Sequence, residues 1–290
     1  MKLILGSANF GAQYGYYKKK KFKLNDFKDI VEIANNSNIN LIDSAIQYKN
    51  SHKLLATQNF LNFFLISKIN VNVHNKNYKS ELKYKIISLK KKFGQRLKGV
   101  LIHNFDELNQ KISRNALSTL IEAKKSGYIK QFGISIYNLN KLKFIHNLWP
   151  DIIQLPFNVF DQRLLRSPWL NIIQKKKIEL HARSSFLQGV LINKEIPFFL
   201  KKYEVDFYNW HKWCKKKNIT PLQGCIEFIK NYNKYIDYVV VGFNSANQLS
   251  DIIKQYKRKT MLNNFFFKKF EKKNINLIDP RKWNYQKIKK

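Results

Sequence analysis

Short apolar runs that repeatedly give way to longer, Lys-rich amphipathic stretches constrain this chain more than any other feature. The runs fall at residues 3–6, 40–43, 63–68, 99–103, 129–135, 151–155, 178–182 and 238–242. Helix-like stretches lie near 25–36, 53–59, 79–93, 114–126, 139–148, 164–176, 204–231 and 246–257. Strands that alternate with helices form a parallel sheet. Strands covered on both faces read as near-continuous apolar runs, as these do. Eight such units in about 250 residues predict a closed (β/α)8 barrel, the TIM-barrel form of the α/β class.

Local signals agree with these boundaries. Asn25 precedes Asp26 and an apolar-periodic run, so it is expected to cap the first helix. Gly127 stands where a helix C-terminus wants a residue tolerant of positive φ. Trp149-Pro150 closes the fifth helix before a strand. No Pro/Gly/Ser-rich linker divides the chain, which is expected to be one domain over 1–290. The basic stretch 261–290 is read as an extra helix docked on the barrel, frayed from Trp283 onward.

No apolar run approaches the roughly 20 residues of a membrane-spanning helix, so no membrane partner is expected. Cys214 and Cys225 form no CxxC pair, and no His/Cys/Asp cluster has metal-ligand spacing. A cytoplasmic location follows from these features. The net charge of +35 would suit a polyanion partner. However, only seven of the 54 basic residues are Arg, the side chain best suited to bidentate phosphate and base contacts. The lysines are also spread along the whole sequence, from Lys2 to Lys290. Compositional bias explains the charge better than a specific nucleic-acid partner does.

Parallel barrels place their sites at the C-terminal ends of the strands. By that rule Asp43, Lys68, His103, Ser135, Gln154, Arg183 and Gly242 gather at one rim, polar groups and a glycine ending otherwise apolar strands. The segments carrying them resemble the aldo-keto reductase superfamily. The opening Leu5-Gly6-Ser7-Ala8-Asn9-Phe10-Gly11 with Tyr14-Gly15 is similar to the family's start. Asp43-Ser44-Ala45-Ile46-Gln47-Tyr48 resembles its Asp-Thr-Ala-x-x-Tyr signature. Ser67-Lys68, Leu101-Ile102-His103-Asn104, Gly127 through Ser135, and Val241-Gly242 through Gln248-Leu249 match further motifs in order.

The resemblance implies a carbonyl reductase that uses NADPH, or alternatively NADH, on a small aldehyde or ketone, with a catalytic tetrad of Asp43, Tyr48, Lys68 and His103. The residue types suit that chemistry. Tyr48 would donate the proton, and an adjacent Lys68 ammonium would lower the phenol pKa. Asp43 would keep Lys68 charged, and His103 would hydrogen-bond the substrate oxygen. His181 reads as core, and His52, His74, His146 and His211 as packing or surface residues.

For the cofactor, the resemblance implies that Ser135 and Gln154 hold the carboxamide, with Asn158 nearby, and that Gly242, Asn244, Ser245 and Gln248 form a phosphate site at the last helix. No GxGxxG follows a strand. Two positions depart from the family pattern. Ile136 stands where many members have Asn, and Arg183 where many have a stacking aromatic. Arg183 could stack through its guanidinium or bind the pyrophosphate. A cation for a 2′-phosphate would have to come from Lys254 or the tail. The segments 154–164 and 182–189 resemble a bacterial subgroup of surface-polysaccharide or nucleotide-sugar pathways, which implies a sugar-derived substrate, and Trp169 and Tyr14 either line the pocket or pack in the core. Two other readings compete: a cofactor-binding regulatory barrel with little catalysis, and a basic barrel that binds polyanions.

Overall fold

The computed structural model describes residues 1–10, 17, 22, 24–48, 50–145 and 147–283. Its strands are β1 (Lys2–Gly6), β2 (Leu41–Ala45), β3 (Phe64–Ile69), β4 (Leu97–Ile102), β5 (Gln131–Ser135), β6 (Ile152–Pro156), β7 (Glu179–Arg183) and β8 (Tyr238–Val241). Each pairs in parallel with the next, and β8 returns to β1, so the sheet closes.

Side chains on a strand alternate between faces, and that period of two builds the site. Ile4, Leu41, Ile66, Leu101 and Ile152 form one apolar cluster inside the barrel, with Tyr238 and Val240 packed against it. Two residues further along their strands come Gly6, Asp43, Lys68, His103 and Gln154, all of which line the cavity above. The polar rim is therefore the next layer of the barrel interior, standing on a greasy floor. Gly133 lets the floor close: a Cβ there would sit 2.5 Å from the Ile152 carbonyl oxygen and 3.0 Å from the Leu101 side chain.

The helices are α1 (Leu24–Asn35), α2 (Ser51–Leu55), α3 (Tyr78–Phe93), α4 (Gln110–Lys125), α5 (Trp169–Lys175), α6 (Glu204–Lys216), α7 (Pro221–Lys230), α8 (Ala246–Lys257) and α9 (Ile275–Ile278). Gly127 follows α4 at φ 72°, as expected. Because α1 begins at Leu24, the backbone places Asn25 inside the helix; its side chain lies outside the described residues.

Three of the expected helices also differ. The stretch 204–231 is two helices, because Asn218 turns left-handed (φ 53°) and Thr220 caps a new start at Pro221. The stretch 139–148 holds only the 3₁₀ turn Leu139–Phe144. The helix expected over 164–176 is likewise split, into Arg163–Arg166 and α5, with Ser167 and Pro168 at the break.

Residues 261–283 dock on the barrel mainly through 3₁₀ turns rather than one helix. Lys272 donates its N–H to the Phe160 carbonyl at 2.8 Å, and Gln162 Nε2 reaches the Phe267 carbonyl at 2.9 Å. Among the described residues no helix is long and apolar enough to cross a membrane.

Candidate active site

At the C-terminal mouth of the barrel lies a cavity of about 420 Å³, within the size range of small-molecule sites. Asp43, Tyr48, Lys68 and His103 all line it. Lys68 Nζ donates to Asp43 Oδ1, and both residues are almost wholly buried. Gln154 Nε2 donates to Asp43 Oδ2 at 2.7 Å. The turn after β2 is closed by the Tyr48 N–H on the Ala45 carbonyl at 3.0 Å, and it carries Tyr48 over the pair. The Lys68 ammonium lies 5.3 Å from the Tyr48 ring centre, and the His103 ring 6.0 Å from it.

The electrostatics differ from expectation at one point. Burial, and then the Asp43 carboxylate, push the Tyr48 phenol above its ordinary range, while the Arg183 guanidinium pulls the other way. Burial therefore outweighs any lowering by the neighbouring cations. Burial also draws the Lys68 ammonium down, opposed by Asp43. His103 is held down at about 3, by burial first and then by the Lys68 and Arg183 cations. Its imidazole is therefore neutral at ordinary pH and able to donate a hydrogen bond.

His52, whose Nε2 lies 3.0 Å from Ser67 Oγ on the outer side of β3, is lowered to about 4 by burial, Lys92 and Lys68. Both histidines titrate below the usual value of 6.5, so the unfolded chain takes up protons first. Their stabilising contribution is complete above pH 6.5 and lost as pH falls toward 4 and then 3. Melting temperature should accordingly hold steady above pH 6.5 and fall between pH 6.5 and 5, before carboxylates protonate. In the double variant His52→Asn/His103→Asn that slope should be largely gone; an unchanged slope in thermal melts would refute the assignment.

The far side of the cavity suits a dinucleotide. Among the described residues Gln154 Oε1 and Ser185 Oγ find no hydrogen-bond partner, though both are buried and both residues line the cavity. Buried acceptors left open in this way invite a polar ligand group. Gly242, Asn244 and Gln248 line the end nearest α8. Asn244 is fixed there, its N–H on Gln248 Oε1 and its Oδ1 accepting from Asn9 Nδ2, both at 2.8 Å. Ser245 is not a lining residue; its hydroxyl caps α8 by accepting from the Gln248 N–H at 3.2 Å. Ser135 ends β5 opposite Gln154, is buried and is not among the cavity's lining residues.

Asn158 does not reach the cavity. Its amide is used by backbone, donating to the Ser184 carbonyl at 3.0 Å and accepting from Phe160 and Asp161 N–H, each at 3.0 Å, so it shapes its own loop after β6 and ties it to the loop after β7. Lys254 is exposed, well along α8 from its N-terminus, and does not line the cavity. Trp169 packs with Trp149 away from the site. Tyr14 and His146 lie outside the described residues. His181 is fully buried, with its Nε2 3.2 Å from Glu179 Oε2.

Arg183 lies on the cavity wall with its guanidinium 4.0 Å from the Tyr137 ring centre. Arg281 approaches the same ring to 3.7 Å. Two guanidinium groups so close to one ring centre fit only on opposite faces. Arg281 is further held by Asp279 and by Asp106 Oδ2 at 2.8 Å. Sequence reasoning missed Asn70, Tyr137, Ser185 and Arg281. For Asn70 a signal existed, since it lies two residues beyond Lys68. For Arg281 none did, because it arrives from the C-terminal segment.

The Aldo/keto reductase family model matches residues 2–275. No curated protein matches the chain by sequence. Among solved structures, the chain is similar to the aldo-keto reductase AKR11C1 from Bacillus halodurans in its holo form, with TM-score 0.71 and 15% identity over 97% of this chain and 95% of that one. It is also similar to the glycerol dehydrogenase AKR11B4 from Gluconobacter oxydans, with TM-score 0.69 and 15% identity over 96% and 92%. A third is MGS-M4, an aldo-keto reductase enzyme from a Medee basin deep-sea metagenome library, with TM-score 0.66 and 17% identity over 96% and 94%. At such identities the likeness speaks for the fold alone.

Proposed function

Since this chain belongs to the aldo/keto reductase family of nicotinamide-dependent oxidoreductases, we propose that it reduces a small aldehyde or ketone to the alcohol, with Tyr48 as proton donor and NADPH as the preferred cofactor. The observation that carries this reading is the convergence of Tyr48, the Asp43–Lys68 pair and a neutral His103 on one wall of a single cavity.

A nicotinamide in this cavity supplies the hydride. The chain's own groups handle the oxygen. His103 donates a hydrogen bond to the carbonyl oxygen, polarising and orienting it. Tyr48 keeps its proton through neutral pH, because burial and Asp43 hold its pKa up. The alkoxide that forms as the carbonyl is reduced is a stronger base than a phenolate, so transfer from the Tyr48 hydroxyl runs downhill. Lys68 then faces the phenolate and stabilises its charge, while Asp43 and Gln154 fix the ammonium in place.

The open acceptor Gln154 Oε1 suits the N–H of a carboxamide, and Ser185, Asn244 and Gln248 suit phosphate oxygens. Among the described cavity residues the cations are Lys68, Arg183 and Arg281, so the preference for NADPH over NADH rests on the family alone.

Fluorescence titration with NADPH and NADH tests the reading. Saturable binding of NADPH at micromolar concentration is expected, followed by turnover on a panel of aldehydes. Absence of binding by both nucleotides would sink the proposal. Binding without turnover of any carbonyl would convert the protein into a nucleotide-binding barrel. Expression in the cytoplasm is part of the same proposal.

A further inference from the structure

A second cavity, of about 360 Å³, opens at the other end of the barrel. Lys2, Leu41, Phe64, Lys98 and Tyr238 line it, each at the start of its strand or one residue in, and Lys257 lines it from the end of α8. Leu41 belongs to the apolar cluster inside the barrel, and Tyr238 packs against that cluster. The two cavities therefore lie on opposite sides of one apolar layer.

Residues at this end of a (β/α)8 barrel ordinarily serve stability. This group does not. Lys2, Lys98 and Lys257 make no ion pair among the described residues, and no described Asp or Glu lines the cavity. The carboxylates beside the starts of β6, β7 and β8 are spent elsewhere. Asp151 holds Lys124 Nζ at 2.7 Å, and Asp237 accepts from the Leu180 N–H at 2.8 Å. Glu179 accepts from Gln131 Nε2 at 2.8 Å and lies 3.2 Å from His181 Nε2. Three like charges around one hollow repel each other, and an anion between them removes that repulsion. The same hollow holds a ring left to water, since Phe64 is 40% exposed. Tyr238 is fixed beside the His181 ring, with centres 4.8 Å apart, and Lys98 Nζ lies 5.5 Å from the Tyr238 ring centre.

We propose that this cavity is a second binding site, which takes a small aromatic phosphomonoester: the ring stacks on Phe64 and the phosphate sits among Lys2, Lys98 and Lys257. A phosphate carries nearly two charges at pH 7 and three acceptor oxygens, one for each ammonium. A carboxylate brings one charge and two oxygens. The volume suits a single ring with a short substituent. The site does not depend on the reductase reading, because the apolar layer separates it from Tyr48 and its neighbours.

The test is calorimetric titration of the full chain with phenyl phosphate, benzoate and inorganic phosphate. Phenyl phosphate should bind one to one, about tenfold or more tighter than inorganic phosphate, the worth of a partly buried ring. It should also bind tighter than benzoate and weaken as salt rises. Phe64→Thr, which keeps a residue suited to a strand, should bring phenyl phosphate down to the level of inorganic phosphate. Lys98→Gln should weaken phenyl phosphate about two- to fivefold, and the triple variant Lys2→Gln/Lys98→Gln/Lys257→Gln about tenfold or more. Lys212→Gln removes the same charge from the exposed side of α6, and Arg183→Gln removes one from the active-site cavity; both should leave the affinity unmoved. The glutamine variants carry the test if Phe64→Thr folds poorly. Phenyl phosphate binding no tighter than inorganic phosphate, or losing as much in Lys212→Gln as in Lys98→Gln, would reduce the effect to net charge and overturn the proposal. A loss confined to Arg183→Gln would move the binding to the other cavity and overturn it as well.

Discussion

Replacing Tyr48 by Phe should lower kcat by about 10²–10⁴-fold, the usual worth of a positioned proton donor. The dissociation constant for NADPH should stay within about twofold, since the lost atom acts only in the transition state. The substitution removes one oxygen and keeps the ring that faces Lys68 and His103, so packing is preserved. Its effect should thus appear in single-turnover rates rather than in stability.

The phenol's raised pKa fixes the sign of the pH profile. With its proton held through neutrality, the parent enzyme should show a flat kcat/KM for reduction from pH 6 to 8. Any decline with rising pH should come from Lys68 losing its charge, since burial draws its ammonium below the ordinary value. An acid limb from His103 should be missing from that range, because the imidazole does not protonate until about pH 3. Turnover by Tyr48→Phe within tenfold of the parent would take Tyr48 out of the chemistry.

Much of this arrangement was legible from spacing. An apolar residue followed at i+2 by a polar one closes four strands in turn: Leu41 then Asp43, Ile66 then Lys68, Leu101 then His103, Ile152 then Gln154. In a barrel this pattern can mean only a filled floor with a polar layer above it. The interplay inside that layer was not legible. From sequence, Lys68 was expected to acidify Tyr48. In the folded chain Asp43 takes up the ammonium while burial raises the phenol, because residues close in space but distant in sequence set the local dielectric. Ser135 and Asn158 show the same limit. Their residue types suit a ligand contact, yet Ser135 is buried and off the cavity lining, and Asn158 is consumed by backbone bonds that tie its own loop after β6 to the loop after β7. Arg281 reaches the site from a segment with no periodic signal, placed by Asp106 and Asp279.

Removing only the cation of the Asp43–Lys68 pair should have the largest effect on stability. In Lys68→Met the Asp43 carboxylate stays buried, with the Gln154 amide as its remaining side-chain donor among the described residues. Stranding a buried charge in this way costs about 3–5 kcal/mol. For a chain of this size, at about 2 °C per kcal/mol, the melting temperature should drop by roughly 6–10 °C. Turnover should also vanish, but that alone does not separate a catalytic pair from a structural one. The double variant Asp43→Asn/Lys68→Met does. Asn at position 43 still accepts from Gln154 Nε2, and no charge is buried, so most of the lost stability should return. If the pair acts on the Tyr48 phenolate, the restabilised double variant stays inactive while it still binds NADPH. A double variant that melts like the parent and also turns over like it would reduce Asp43 and Lys68 to scaffolding, and the proton chemistry would then need another source of positive charge, for which Arg183 is the candidate already on the cavity wall.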